Sequence, residues 1–325
     1  MSESARGHCR RALIETVRGP VDATQLGPTL VHEHLRVRRE IFAQFPSLFP
    51  STAAVSCAVS AVAAAFDVGI RTICDPTVMG LGRDVRFMQR VAELSNVNVI
   101  AATGMYTFGA LPKYFVDAPV ESLASAFVHD ITEGIQETPV KAGVIKVTTG
   151  SEGVTPNIEK VLRAAAVASL ATGAPIVTHS VPGNRSGIRQ QDVFSEEGVD
   201  LRQVLIGHCG DTTDLGYLAE VASRGSFLGM DRYAAVGEPS FEARNRTVQV
   251  LCERGYSRQI LLSHDAVCVD DPAAQDEVWL AQALTKISKE VLPALVALGV
   301  SRATVGEIIV DNPRRWLAGE VPLGA

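Results

Sequence analysis

Eight short runs rich in β-branched and apolar residues punctuate this chain, at 29–35, 72–77, 99–105, 143–149, 176–180, 204–210, 226–232 and 260–265, with longer stretches of helical periodicity between them. Neighbouring parallel strands need a long crossover, usually a helix, so this alternation predicts parallel βα units. Eight such units predict an α/β fold, a (β/α)8 TIM barrel. The clearest helix spans 157–171, where Ile158, Val161, Leu162, Ala165 and Val167 form one apolar flank and Gly173 follows as a stop signal. Another follows Asp214. A doubly wound sheet shows the same alternation, so the placement of the polar residues has to decide between the two.

In a TIM barrel, catalytic groups sit at the C-terminal ends of the strands and share one mouth. His32 and His34 close the first run, Lys146 lies in the fourth, His179 ends the fifth, His208 the sixth and Asp265 the eighth. An apolar core has no use for such side chains, and their placement favours the barrel. No repeat, low-complexity tract or Gly/Ser linker divides the chain, which predicts a single domain over 17–325 after an N-terminal tail, 1–16. Segments 149–153 and 180–186 are expected as loops above the mouth. The long connection after Asp265, through Asp270, Asp271 and Pro272, is the candidate lid.

With 325 residues, the length alone permits one domain or two. A net charge of −6 argues against a nucleic-acid partner, and the clustered Arg36, Arg38 and Arg39 are too few to form a phosphate-neutralising stripe; they are read as a solvated face. The N-terminus lacks the apolar segment of a secretory signal, and no run is long enough to span a membrane, so no membrane partner and a cytoplasmic location are expected. The six cysteines, Cys9, Cys57, Cys74, Cys209, Cys252 and Cys268, lack Cys-x-x-Cys spacing and are read as buried free thiols.

His32 and His34 stand two apart on a predicted strand, so both point to one face and could grip one ion. Such a pair is a weak signal alone; its position at a strand end, with His179, His208, His264 and Asp265 at others, strengthens it. Imidazole and carboxylate donors together suit zinc, and also cobalt, manganese or iron. His8 and His129 are assigned to the tail and to a helix surface. Lys146 is the unusual member: an ammonium beside metal cations would have to lose a proton from a pKa of about 10.4. Its neutral amine could capture carbon dioxide as a carbamate able to bridge two ions. A lysine snorkelling to the barrel rim is the alternative.

These residues resemble the phosphotriesterase family of the amidohydrolase superfamily, and within it the phosphotriesterase-like lactonases. The likeness is carried in order by Gly27-Pro28-Thr29-Leu30-Val31-His32-Glu33-His34, Ala142-Gly143-Val144-Ile145-Lys146-Val147, Pro175-Ile176-Val177-Thr178-His179-Ser180, Ile206-Gly207-His208-Cys209-Gly210-Asp211, Gly229-Met230-Asp231-Arg232-Tyr233 and Leu262-Ser263-His264-Asp265. The resemblance implies a (β/α)8 barrel in which His32, His34 and Asp265 hold a buried divalent metal ion and His179 and His208 a more exposed one. An N6-carboxylated Lys146, made with carbon dioxide, would bridge them. It further implies hydrolysis by a water bridging the two ions, its pKa lowered toward about 7. Tyr106 and Arg232 would stabilise the developing oxyanion, and Asp265 would accept the proton and pass it outward through Arg232 and Asp211. Asp231 is read as the partner of a nearby arginine, and Tyr233 as a packing aromatic.

Tyr106, Arg232 and the run Asp211-Thr212-Thr213-Asp214 look like the lactonase branch, which implies lactone substrates, acyl-homoserine or medium-chain oxo-lactones, with side activity on phosphotriesters. The segment after Asp265 departs from that branch: it reads as shorter and more acidic, with Trp279 a possible aromatic of the lid, and this puts acyl-chain specificity in doubt. Two alternatives stay open, an amidohydrolase or esterase acting on N-acyl amino acids or other carboxylic esters, and a non-catalytic metal-binding barrel. The resemblance also implies a homodimer, for which the apolar cluster Phe42, Phe45, Pro46, Leu48, Phe49 and Pro50 could supply an interface.

Overall fold

The computed structural model describes residues 12–38, 53–271 and 284–319. A short antiparallel hairpin comes first, β1 (Leu13–Ile14) against β2 (Val21–Asp22). Its first strand falls within the segment expected as a tail. Then follow β3 (Thr29–Leu30), β4 (Val37–Arg38), β5 (Thr72–Asp75), β6 (Asn98–Met105), β7 (Val144–Thr148), β8 (Ile176–His179), β9 (Val204–Ile206), β10 (Phe227–Met230), β11 (Ile260–Leu262) and β12 (Asp270–Asp271). Eight of them form one sheet in the order β3-β5-β6-β7-β8-β9-β10-β11, every neighbouring pair parallel, with helices in the crossovers. The fold is the (β/α)8 barrel that the alternation predicts, and all eight expected runs supply a barrel strand.

The barrel closes differently at one place. Between β11 and β3 the backbone contacts come past the strand ends: the amide of His32 donates to Ser263 Oγ (2.9 Å), that of Asp265 to the carbonyl of His32 (3.1 Å) and that of His34 to the carbonyl of Ala266 (2.8 Å). The seam is therefore stitched by the residues that carry the candidate site.

Alternation along the strands sorts the core. In β7, Val144 packs with the inner cluster while Ile145 and Val147 pack against the helices. Lys146, two residues from Val144, accordingly faces the interior. The inner cluster is closed below by the fully buried Trp316. Local signals fix the helices: Thr155 caps Pro156–Thr172 by accepting from the amide of Ile158, Pro156 takes the first position where its missing N–H costs nothing, and Gly173 ends it at φ +77°.

Three sequence expectations need correction. Arg36 is not solvated: it is buried, donates to Asp271 Oδ2 through Nε (2.8 Å), and lies over the ring of Phe87. The sixth and eighth ladders stop at Ile206 and Leu262, short of the expected ends, because His208 (φ +62°) and Asp265 (φ +55°) take the left-handed conformation and turn the chain off the sheet. The first ladder stops at Leu30, and Val31 belongs to the inner cluster. Strict alternation would aim His32 outward, but a bend over 31–32 turns its ring into the mouth.

Of the expected lid, Asp270 and Asp271 pair with Val37 and Arg38. Residues 272–283 with Trp279, the cluster 42–50, Arg39, His8 and Cys9 lie outside the described residues. Among the described residues the five cysteines are free thiols, three of them buried, and no helix is long and apolar enough to cross a membrane.

Candidate metal centre

Two groups of side chains meet in the barrel mouth. In the first, Nε2 of His32 and Nε2 of His34 lie 3.5 and 3.4 Å from one oxygen, Oδ1 of Asp265. Charge-assisted hydrogen bonds settle nearer 2.7–2.9 Å as a rule, whereas tetrahedral ligands about 2.0–2.2 Å from a zinc-sized ion stand roughly 3.3–3.6 Å from each other. The observed spacing is that of adjacent corners of a coordination sphere. In the second group, Nε2 of His208 and Nδ1 of His179 are 2.8 Å apart, their rings perpendicular. Lys146 reaches the first group from β7, its Nζ 3.1 Å from Nε2 of His32 and 3.4 Å from the carbonyl of Thr178. Gly104 makes this possible: at φ +127°, a Cβ there would lie 1.9 Å from the carbonyl oxygen of Lys146.

The protonation chemistry fits a divalent cation. Burial, reinforced by Lys146, lowers the His32 imidazole to about 4. Burial and His208 push His179 down as well. Burial alone would raise Asp265, but the imidazoles of His32 and His34 hold it well below the usual carboxylate range. Burial brings the Lys146 amine down to about 8. At neutral pH the imidazoles of His32 and His179 and the Asp265 carboxylate all stand in the proton-free form that metal ligation requires.

The outward nitrogens of the rings are held by partners that the sequence reading did not assign. Asp231, fully buried, accepts from Nδ1 of His32 through Oδ2 (2.9 Å) and from Nδ1 of His208 through Oδ1 (3.0 Å), and takes the His208 amide as well (2.8 Å). The arginine partner expected for Asp231 is replaced by these imidazoles. Although burial pushes its carboxyl up, His208 and His32 hold it far below its ordinary value. Nδ1 of His34 pairs with Thr77 Oγ1 at 2.7 Å. Each Nδ1 so occupied leaves Nε2 for the centre, the arrangement by which ligating imidazoles are oriented. A polar residue at the end of a barrel strand, as Thr77 and Asp231 both are, was the available signal.

Arg232 stands beside this centre. Its Nε lies 3.2 Å from Asp265 Oδ2 and its Nη1 donates to Asp211 Oδ2 at 2.7 Å. Arg244, missed in the sequence, is buried and donates to Asp211 Oδ1 (3.1 Å) and the Gly210 carbonyl (2.6 Å). Tyr106 meets His179 edge-on, ring centroids 6.0 Å apart, and Phe108, also unassigned from the sequence, meets both Tyr106 (4.9 Å) and His179 (5.4 Å). Tyr233 is a packing aromatic as expected, its hydroxyl donating to Asn245.

Comparison with known proteins bears on this geometry. The model of the phosphotriesterase family matches residues 12–317. The chain belongs to the phosphotriesterase family. Within it, the chain is 40% identical over 304 residues to an aryldialkylphosphatase of Saccharolobus solfataricus, covering 92% of this chain and 97% of that protein. It is 42% identical over 315 residues to a phosphotriesterase homology protein of Mycobacterium tuberculosis, covering 93% and 96%. The solved structure of the phosphotriesterase from Mycobacterium tuberculosis superimposes with a TM-score of 0.88 at 41% identity, over 94% of this chain and 98% of that one. Phosphotriesterase-family membership makes this chain a hydrolase.

Proposed function

We propose that this hydrolase opens lactones, acyl-homoserine or medium-chain oxo-lactones, with a lesser activity on phosphotriesters. The observation that carries a metal-dependent reading is the placement of Asp265 Oδ1 at 3.4 and 3.5 Å from the Nε2 atoms of His34 and His32. His32, His34 and Asp265 would hold one ion, His179 and His208 another, with Lys146, carboxylated through its low-pKa amine, shared between them. Two divalent ions, zinc being the best match to imidazole and carboxylate donors, supply a polarised substrate oxygen and a water acidic enough to attack at neutral pH.

The protein's own groups complete the reaction. Oδ1 of Asp265 faces the imidazoles and Oδ2 faces Arg232, so Oδ2 receives the proton as the attacking water loses it. Burial works against the charge on Arg232, but Asp211 and Asp265 hold its pKa above the ordinary guanidinium value. The proton leaves from Asp265, whose side chain is 20% exposed, outward past Arg232 and Asp211. Arg232 acts as a fixed cation toward charge developing on the substrate oxygen, with the Tyr106 hydroxyl as a second donor.

Lactones are favoured over N-acyl amino acids by the aromatic wall beside the centre. A neutral lactone can lay its apolar part on Phe108 and Tyr106, ring centroids 4.9 Å apart, whereas these rings offer no cation to the carboxylate of an N-acyl amino acid. A cytoplasmic homodimer belongs to the same reading. The test is a panel on metal-loaded enzyme: acyl-homoserine lactones, δ-lactones, paraoxon and N-acyl amino acids. Lactones are expected to give the highest kcat/KM; turnover of N-acyl amino acids with none of lactones would overturn the reading.

A further inference from the structure

Glu33 separates two candidate ligands in sequence, yet its side chain points away from the mouth and is fully buried. Its Oε1 accepts from Ser263 Oγ (2.7 Å), the His264 amide (2.8 Å) and His264 Nδ1 (2.6 Å), while Oε2 accepts from the Ala266 amide (3.0 Å). Every donor lies within two residues of Asp265, and on both sides of it. Ser263 Oγ also accepts from the amide of His32. Nε2 of His264 accepts the amide of Ile287 at 2.9 Å, which leaves Nδ1 as the hydrogen-bearing nitrogen that Glu33 receives.

Asp265 needs such a clamp. It sits at φ +55°, a conformation uncommon for side chains other than glycine, at the seam where no regular ladder joins β11 to β3. Nothing in strand geometry fixes where its carboxylate points. We propose that Glu33 is a positioning residue that locks the 263–266 turn and thereby sets Asp265 Oδ1 at the shared corner with His32 and His34. The inference rests on the metal-centre reading above and concerns one ion of the two, because the side-chain hydrogen bonds of Glu33 go to Ser263, His264 and Ala266, the neighbours of Asp265, and not to His179 or His208.

The test measures metal affinity and stoichiometry by chelator competition and elemental analysis, with cobalt(II) absorption reporting coordination. In Glu33→Gln an amide N–H must face one of four converging donors. The expected result is an affinity about 10- to 100-fold weaker for one equivalent of metal, the other equivalent unchanged. His264→Asn keeps a donor toward Glu33 and is expected to retain both equivalents, whereas His264→Ala weakens the same one that Glu33→Gln does. These histidine variants keep the test available if Glu33→Gln does not fold. Two undiminished sites in both Glu33→Gln and His264→Ala, or equal weakening of both ions, would overturn the role of Glu33. A wild-type protein binding no metal would instead remove the metal-centre reading, and the proposal with it.

Discussion

Asp231 receives the Nδ1–H of His32 at 2.9 Å, and with its other oxygen it does the same for His208. One buried carboxylate thus orients an imidazole from each half of the centre. Asp231→Ala removes both acceptors, so neither ring is held with Nδ1 engaged and Nε2 presented to the centre. Both equivalents of metal are expected to bind about 10- to 100-fold more weakly. Chelator competition checks this, and unchanged affinity for either ion would show that Asp231 does not orient its imidazole. The contrast with Glu33→Gln, which spares one ion, separates a shared partner from a one-sided one.

Arg232 spans two carboxylates through different nitrogens, Nε toward Asp265 and Nη1 toward Asp211. A lysine offers a single point charge and cannot hold both. Arg232→Lys should therefore lower kcat/KM for a lactone by about 100-fold, the scale seen when a fixed donor to a developing oxyanion is removed. Steady-state kinetics would decide, and wild-type turnover in Arg232→Lys would mean that charge alone suffices.

The barrel and the meeting of polar side chains at its mouth were legible because each rests on a local rule. Eight apolar runs give eight strands, and alternation from Val144 aims Lys146 inward. The rest lay in long-range hydrogen bonds. Asp231 is followed directly by Arg232, so a salt bridge was the natural reading; only the fold brings it to His32, 199 residues away. Glu33 appeared in the motif without a role, since its donors at 263–266 adjoin it only across the barrel seam. His208 and Asp265 were read as strand ends, and left-handed backbone at residues other than glycine has no reliable mark in sequence. Arg244 lies on the helix Phe241–Glu253 in one buried stripe with Thr247, Val248 and Leu251, and nothing local marks its partners Asp211 and Gly210 across the fold.

The metal-free chain should lose stability as the solution is acidified. The His32 pKa falls from 6.5 unfolded to about 4 folded, so between these values the unfolded chain binds a proton the native state refuses. The stabilisation is fully present above pH 6.5 and is lost as pH falls through about 4. Lys146 acts in the same sense at higher pH: its pKa drops from 10.5 to about 8, and the native state is penalised progressively as pH falls across that range. Between pH 10.5 and 8 this opposes the buried thiols of Cys74, Cys209 and Cys268, whose raised pKa values favour the native state as the solution is acidified. The melting temperature of metal-free protein is thus expected to decline from pH 6.5 to 4, and Lys146→Met should raise it more at pH 8 than at pH 10.5; an equal change at both would remove Lys146 from the account.

Gly150 supports the apolar wall of the mouth from behind. A Cβ added there would stand 2.7 Å from Cδ1 and 3.1 Å from Cγ of Phe108, whose ring is 48% exposed and packs edge-on against His179. In Gly150→Ala the ring has to move, because the backbone of 148–150 is fixed by β7 and by the bond from Asn184 Nδ2 to the Gly150 carbonyl. A displaced Phe108 changes the surface offered to the acyl part of a substrate while leaving the ligand cluster untouched. KM for long-chain lactones should rise about 5- to 10-fold, a change of ~1 kcal/mol, with kcat for a short lactone and the metal content unaltered. In a Phe108→Ala background the same glycine substitution should have no further effect, since the ring it displaces is gone. Additive effects of the two substitutions would show that Gly150 acts on the mouth by some route other than Phe108.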